Sequence, residues 1–358
     1  MRSLVFLAAA MATTPAAAAD NDFYRGKTIS LVINYTVGGP TDTEVRLLAR
    51  HINKHIPGAP TIVVRNMGGA GGAIGINWLG QAAPNDGYTV GYMTGIVGAT
   101  MHDQPTVKID ASKLGFVAGV EAISVGYGRT DLGSGLKEPF DLMKQSNFWM
   151  GGLSPDGNKD LRLRMQLDLL GLKYRYISGY PGAADARLAL ERKEVEMTAE
   201  SLPTYRMTIE PALVDTGRVI PLWLDVADEY ADKDHPDTAG IKAPTFETYY
   251  RKAKGEPPKS TLWEVHRMLK EFGTVFLRTI NLPPGSPAVA TELWRDAIAG
   301  LVGDEEYRQD AIKTIKYVPR FYFGPNVERK YRESIVPDPA IVAFTSGYIR
   351  EGYVMMGK

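Results

Sequence analysis

The chain has 358 residues, 41 acidic and 41 basic side chains, no cysteine and a formal net charge of zero. The charge balance argues against nucleic acid or an anionic membrane surface as a partner, since both call for a basic excess. The lack of cysteine excludes disulfides, thiol chemistry, a thiolate metal site and a lipid-anchoring cysteine, so stability has to come from a large core.

Met1-Arg2 is a short basic start, Leu4 to Met11 is apolar, and Ala16 to Ala19 is a run of small residues. This is the pattern of a secretory signal peptide over residues 1–19, with Ala17 and Ala19 suited to the cleavage site. The apolar stretch is too short for a membrane span, which takes roughly 20 apolar residues, and no later segment reaches that length. The expected mature protein begins at Asp20 and is periplasmic. Its roughly 340 residues suffice for two domains.

The next stretch, Ile29 to Asp42, reads ISLVINYTVGGPTD. A β-branched apolar run stops at Thr36, turns through Gly38-Gly39-Pro40 and gives way to a helix pattern through Val45, Leu47, Leu48 and Ile52. A glycine turn at a helix N-terminus leaves N–H groups facing outward beside the positive end of the helix dipole, and such a place attracts anions. Pro60 to Asn66 is a second strand, followed by the glycine-rich Gly68 to Gly75 and a helix over Ile76 to Ala83. Tyr88 to Thr94 is a third strand. This alternation predicts a parallel sheet flanked by helices, with ligands outside the carboxyl ends of the strands.

Phe116 to Val125 reads as a strand that crosses to a second unit of the same grammar. There Phe148 to Leu153, Tyr174 to Ile177, Val195 to Ala199 and Arg218 to Leu224 are strands. Helices cover Asp160 to Leu170, Ala184 to Glu191 and, with uncertain limits because of Pro203 and Pro211, Leu202 to Val214. Val219 to Leu224 is the expected return crossing. Ala227 to Ser260 is charged and irregular and reads as surface. Thr261 to Phe272 is an amphipathic helix, Thr274 to Ile280 a strand, and Ala288 to Val302 a helix. The fold class expected is α/β, in two lobes with a cleft between them.

Seven motifs occur in a telling order. They are Tyr24-Arg25-Gly26-Lys27-Thr28-Ile29, Val37-Gly38-Gly39-Pro40-Thr41-Asp42, the stretch Asn66 to Gly75, and Ala83-Pro84-Asn85-Asp86-Gly87-Tyr88-Thr89. Tyr180-Pro181-Gly182-Ala183-Ala184, Ser201-Leu202-Pro203 and Pro283-Pro284-Gly285-Ser286-Pro287 follow. Over nearly the whole mature chain, this set resembles the extracytoplasmic solute receptors of tripartite tricarboxylate transporters, the Bug family. The resemblance implies a type II periplasmic-binding-protein fold, a Venus flytrap. Lobe 1 would comprise residues 20–122 and 226–358, and lobe 2 residues 123–225. It further implies a monomer without cofactor or catalysis that clamps a small organic carboxylate and delivers it to membrane permease subunits. Two departures stand out: Pro181 replaces the usual basic residue, and Tyr249 to about Phe272 is an insertion relative to shorter members.

The candidate ligand residues in the first lobe are Thr36, Gly38, Gly39, Thr41 and Asp42 of the first loop, Gly71 and Gly72 of the second, and Thr94 at the end of the third strand. Asp42 reads better as a helix cap than as a carboxylate contact, because like charges repel. The second lobe offers Ser154, Asn158, Tyr180, Gly182, Ala183, Ser201 and Thr204. Tyr35, by strand alternation, reads as core. Tyr35, Tyr180 and Trp223 lean toward an aromatic acid, and Pro181 leans against a highly charged one, which leaves a mono- or dicarboxylate.

Other chemistries find little in the sequence. The Gly68 to Gly75 run follows the second strand and lacks the acidic partner of a dinucleotide fingerprint. His51 and His55 have helical metal-ligand spacing, yet no intervening glutamate or third ligand accompanies them, and both read as exposed. No nucleophile elbow or P-loop is present. The alternatives are a receptor that feeds a sensor kinase and an enzyme on the same scaffold.

Overall fold

The computed structural model describes residues 22–101, 106–180, 182–336 and 338–355. The signal-peptide reading and Pro181 lie outside the described residues.

Among the described residues, eleven strands form two sheets. The first contains β1 (Thr28–Ile33), β2 (Thr61–Asn66), β3 (Thr89–Thr94), β4 (Gly115–Val120), β10 (Arg278–Leu282) and β11 (Phe321–Tyr322). Its order is β11-β4-β10-β3-β1-β2. Strands β2, β1 and β3 run parallel, and β10 lies antiparallel between β3 and β4. Ile29, Leu31, Val32 and Ile33 are all buried, so β1 is covered on both faces. A continuous apolar run rather than an alternating one is what such a central parallel strand requires.

The second sheet contains β5 (Ser124–Arg129), β6 (Phe148–Gly151), β7 (Tyr174–Ile177), β8 (Met197–Ser201) and β9 (Val219–Asp225), in the order β7-β6-β8-β5-β9. Strands β6, β7 and β8 are parallel, and β5 pairs antiparallel with β8 and β9. The expected two-lobed α/β architecture is therefore present.

Several boundaries differ from the expectation. The Phe116 to Val125 run is two strands in two sheets, broken at Glu121-Ala122-Ile123. Thr274 is not in a strand: it lies in the helix Thr261–Val275, and the strand starts at Arg278. Its hydroxyl donates to the Lys270 carbonyl (2.9 Å), which accommodates a β-branched residue in the helix. The Leu202 to Val214 helix is a short α-turn that widens into a π-helix, Tyr205–Val214, around Pro211. Proline has no N–H to give an α-helical bond, so a wider turn there costs little.

The region read as surface is only partly so. It contains the helix Phe246–Lys254, whose Phe246 and Tyr249 are fully buried. Both rings pack edge-on against Trp223 of β9 (5.5 and 5.2 Å between centroids), and the Tyr249 hydroxyl donates to the Pro139 carbonyl (2.9 Å). A charged sequence with aromatic residues three apart hid an amphipathic helix that caps the second sheet.

A buried polar network ties both crossings together. Arg162, on the helix Asn158–Leu169, pairs with Asp225 at the end of β9 (3.0 Å) and donates to the Ser124 hydroxyl at the start of β5 (3.3 Å). Gln166 donates to Asp225 (2.6 Å) and accepts from the Trp223 indole (2.8 Å). Trp223 is thus a core residue of the second sheet, 1% exposed, and not a ligand wall.

Candidate functional site

The carboxyl ends of β1, β2 and β3 carry the three loops that the sequence singles out. One side chain fixes two of them. Asn34, fully buried just after β1, donates through Nδ2 to the carbonyls of Thr94 (2.8 Å) and Gly72 (3.3 Å), while its Oδ1 accepts the Thr94 N–H (2.9 Å). The sequence reading passed over Asn34. Its signal was a polar residue closing an otherwise apolar strand.

Asp42 is not the N-cap; Gly39 occupies that position ahead of the helix Pro40–Ile52, which starts with proline. The Asp42 carboxylate instead reaches back to accept the Gly38 N–H (2.9 Å). It also accepts from Arg46 (3.0 Å) and Asn66 (3.0 Å). Burial opposes its ionisation, but the bonds from Arg46, Gly38 and Asn66 outweigh it and hold the carboxyl below its ordinary value. Asp42 is a neutralised loop brace. Thr36 on the first loop lies directly under Gly68 on the second, where an added Cβ would stand 3.0 Å from Thr36. Thr41 is 9% exposed and Gly38 takes a left-handed φ of 87°.

Between the lobes lies a cavity of about 210 Å³. Gly71 and Ala73, at the start of the helix Ala73–Gln81, form one wall together with Thr94, Gly95 and Gly98. Asp156, Gly157 and Asn158, at the start of the helix Asn158–Leu169, face them from the second lobe. Two helix N-termini from different lobes therefore converge on one space, which suits an anion. Among the described residues, Thr94 Oγ1 and Asn158 Oδ1 have no hydrogen-bond partner.

Of the residues expected at the ligand, the cavity brings together Gly71, Thr94 and Asn158. Ser154 acts one step back, its hydroxyl donating to the Asp156 carboxylate. Gly72 sits behind the wall against Asn34. Thr36, Gly38, Gly39 and Thr41 do not line this cavity. Nor do Tyr180, Gly182, Ala183, Ser201 and Thr204. Tyr180 packs partly buried against the main hydrophobic core, and burial pushes its phenol pKa up. Ser201 donates to Thr204 (3.2 Å) in a local turn. Gly182 is the N-cap of the helix Ala183–Glu191.

Tyr35 corrects the alternation argument: it is 39% exposed, lines the cavity, and donates to the Gly71 carbonyl (3.3 Å). The strand ends at Ile33, so alternation no longer governs its direction. Phe272, Phe276 and Leu277, which the sequence reading did not place at the ligand, close the remaining side.

The histidine pair is also resolved. His51 is 6% exposed and bonds Asp310 (2.9 Å), and His55 bonds Asp304 (2.9 Å). Each thus ties its helix to the helix Glu305–Ile315. Elsewhere, Glu121, His235 and Asp237 lie close enough to share a metal ion. The Asp237 N–H already donates to His235 Nδ1 (3.1 Å), and the Arg320 guanidinium faces both carboxylates (3.8 and 3.4 Å). These contacts describe an ion-pair cluster at the first crossing.

Comparison with known proteins places this geometry. No family model matches the chain. Protein BugT of Bordetella pertussis is 37% identical over 86 residues, 24% of each chain. A UPF0065 protein of Agrobacterium vitis is 35% identical over 85 residues, 23% of this chain and 24% of its own. The chain thus matches about a quarter of the length of these curated relatives. Among solved structures, a TctC solute-binding protein from Polaromonas superposes with a TM-score of 0.63 at 20% identity, covering 92% of this chain and 99% of the other. In fold, over more than nine-tenths of its length, the chain is similar to these solute-binding proteins, and a quarter of its sequence resembles the Bug proteins. Two further solved structures share the fold. A Rhodopseudomonas palustris protein with adipate gives a TM-score of 0.63 at 20% identity over 90% of this chain and 97% of its own. MatC from the same organism, with bound malate, gives 0.56 at 17% identity over 92% and 98%.

Proposed function

We propose that this chain is a periplasmic solute receptor that captures a small organic carboxylate in the interlobe cavity. The observation that carries the reading is the convergence of two helix N-termini, at Ala73 and Asn158, on one space between the lobes. First-turn N–H groups have no partners within their own helix and, apart from the Ala73 N–H, which donates to the Ala70 carbonyl, offer hydrogen bonds to an anion. Enclosure strengthens such bonds by excluding water. The ligands of two proteins of the same fold, adipate and malate, are in keeping with this chemistry.

The mechanism rests on two crossings between the sheets, at residues 121–123 and between Asp225 and Arg278. The anion enters the open cleft, hinge closure buries it, and the closed shape is what a membrane permease recognises. Among the described residues no helix is long and apolar enough to cross a membrane, so transport requires such a partner. The receptor acts as a monomer, without cofactor or catalysis. Export rests on the residue 1–19 leader read from the sequence.

The test is a thermal-shift screen of residues 20–358 against organic acids. A ligand at about 100 times its Kd stabilises the fold by about 2.7 kcal/mol, a readily measured shift. A shift with a carboxylate class and none with neutral sugars supports the reading. Sugars shifting the protein in place of acids would overturn it.

A further inference from the structure

The segment read as an insertion is built into the cleft. Its helix, Thr261–Val275, is fixed on both sides. Toward the second sheet, Trp263 stacks near Phe246 (6.3 Å), and the fully buried Lys270 pairs with Glu247 (2.6 Å) and Asp228 (2.7 Å). Asn158, whose helix start lines the cavity, donates to the Leu269 carbonyl (3.3 Å). Gly273 permits that approach, since a Cβ there would stand 2.4 Å from Asn158 Oδ1. Toward the first sheet, the Thr274 carbonyl accepts the Ala122 N–H (2.8 Å), and Phe276 packs against Phe116 and Tyr331 (6.1 and 5.7 Å). The end of the helix, carrying Phe272, and the Phe276-Leu277 pair that follows it are thereby held at the cavity wall.

This wall gives the cavity two chemically different kinds of lining. One is backbone at helix N-termini and suits a single anionic group. The other is Phe272, Phe276 and Leu277 with Ile76, all apolar. Among the described lining residues there is no Lys, Arg or His, and the one carboxylate is Asp156. A second carboxylate on the ligand would lose its hydration against the rings, with no cation among the described lining residues to offset that cost. An aromatic ring would fill the same space favourably.

We infer that the inserted helix sets specificity, and that the receptor selects a monocarboxylate with an aromatic body over aliphatic di- and tricarboxylates. The inference rests on the carboxylate-receptor reading above and refines it.

The experiment is calorimetric titration of residues 20–358 with benzoate, phenylacetate, benzamide, malate, adipate and citrate, repeated with Phe272→Ala and Leu277→Ala. Benzoate or phenylacetate should bind at least tenfold more tightly than any of the three polycarboxylates. Phe272→Ala, in a folded variant checked by circular dichroism, should weaken the aromatic acid about tenfold, the scale of a lost apolar pocket contact. Leu277→Ala is the second probe of the wall should Phe272→Ala not fold. Malate, adipate or citrate binding more tightly than the aromatic acids, or unchanged aromatic affinity in the folded wall variants, would overturn the inference and leave the receptor reading intact. Benzamide binding as well as benzoate, or no acid binding at all, would overturn the carboxylate reading and the inference together.

Discussion

Asn34 and Thr94 are bonded in both directions across the ends of β1 and β3, with Oδ1 taking the Thr94 N–H (2.9 Å) and Nδ2 giving to the Thr94 carbonyl (2.8 Å). A third bond from Asn34 to the Gly72 carbonyl (3.3 Å) ties in the second loop. One buried amide thus sets the spacing of two loops behind the first-lobe wall of the cavity. Replacing it with leucine, which has similar bulk, leaves buried backbone groups unpaired at about 1–3 kcal/mol each. We expect Asn34→Leu to lower stability by about 2–4 kcal/mol and to weaken ligand binding. Urea unfolding and calorimetric titration check the two effects; an unchanged urea midpoint would remove Asn34 from this role.

The glycines around Asn34 are constrained by its bulk. A Cβ at Gly75 would lie 2.7 Å from Asn34 Cβ and 2.9 Å from the Met67 carbonyl oxygen. At Gly72, which has a φ of 97°, it would lie 2.5 Å from Asn34 Nδ2. Gly75→Ala and Gly72→Ala should each cost about 1–3 kcal/mol, the range for overpacked sites. Gly98→Ala, on the cavity wall with nothing within 4 Å of its Cβ, should change stability by less than about 0.5 kcal/mol. Thermal unfolding of the three variants side by side tests this ordering.

The Arg162–Asp225 pair (3.0 Å) joins the cleft-facing helix of the second lobe to the end of β9. Asp225→Leu leaves the guanidinium buried without its counter-charge, and breaking a buried pair in this way costs about 3–5 kcal/mol. The double variant Arg162→Met with Asp225→Leu should be less destabilised than Asp225→Leu alone, because no lone charge remains. A double-mutant cycle in urea measures this; equal loss in both would contradict it.

Acid should loosen the tie between the helix Pro40–Ile52, with the turn after it, and the helix Glu305–Ile315. The Asp310 carboxyl is held well below its ordinary value by His51 and Arg50. For Asp304, burial opposes ionisation, but Lys54, His55 and the Tyr307 N–H prevail and hold it equally low. Groups with depressed folded values contribute stability that is fully present above their unfolded pKa, about 3.9. That contribution is lost as pH falls from there through the folded values. In Asp304→Asn, urea midpoints should fall less steeply below about pH 4 than in the parent chain.

Much of this protein was legible from local pattern. Apolar runs such as ISLVI, followed by glycine turns and amphipathic stretches, specify strand, loop and helix through short-range sterics and burial, and their repetition specifies two α/β units. What the sequence could not decide was which loop residues meet across the lobes, since that depends on contacts between segments distant in the chain. Gly71, Thr94 and Asn158 converge, whereas Tyr180 turns into the core and Asp42 is spent on its own loop. Asn34 looked like a strand end and became the brace between two loops. The amphipathic pattern of Thr261–Val275 did not say what the helix packs on; Lys270 bonds Glu247 and Gly273 meets Asn158, and this puts Phe272 and Phe276 at the cavity wall. Side-chain direction at a cleft is set by the partners that burial provides, and those partners exist only once both lobes are folded.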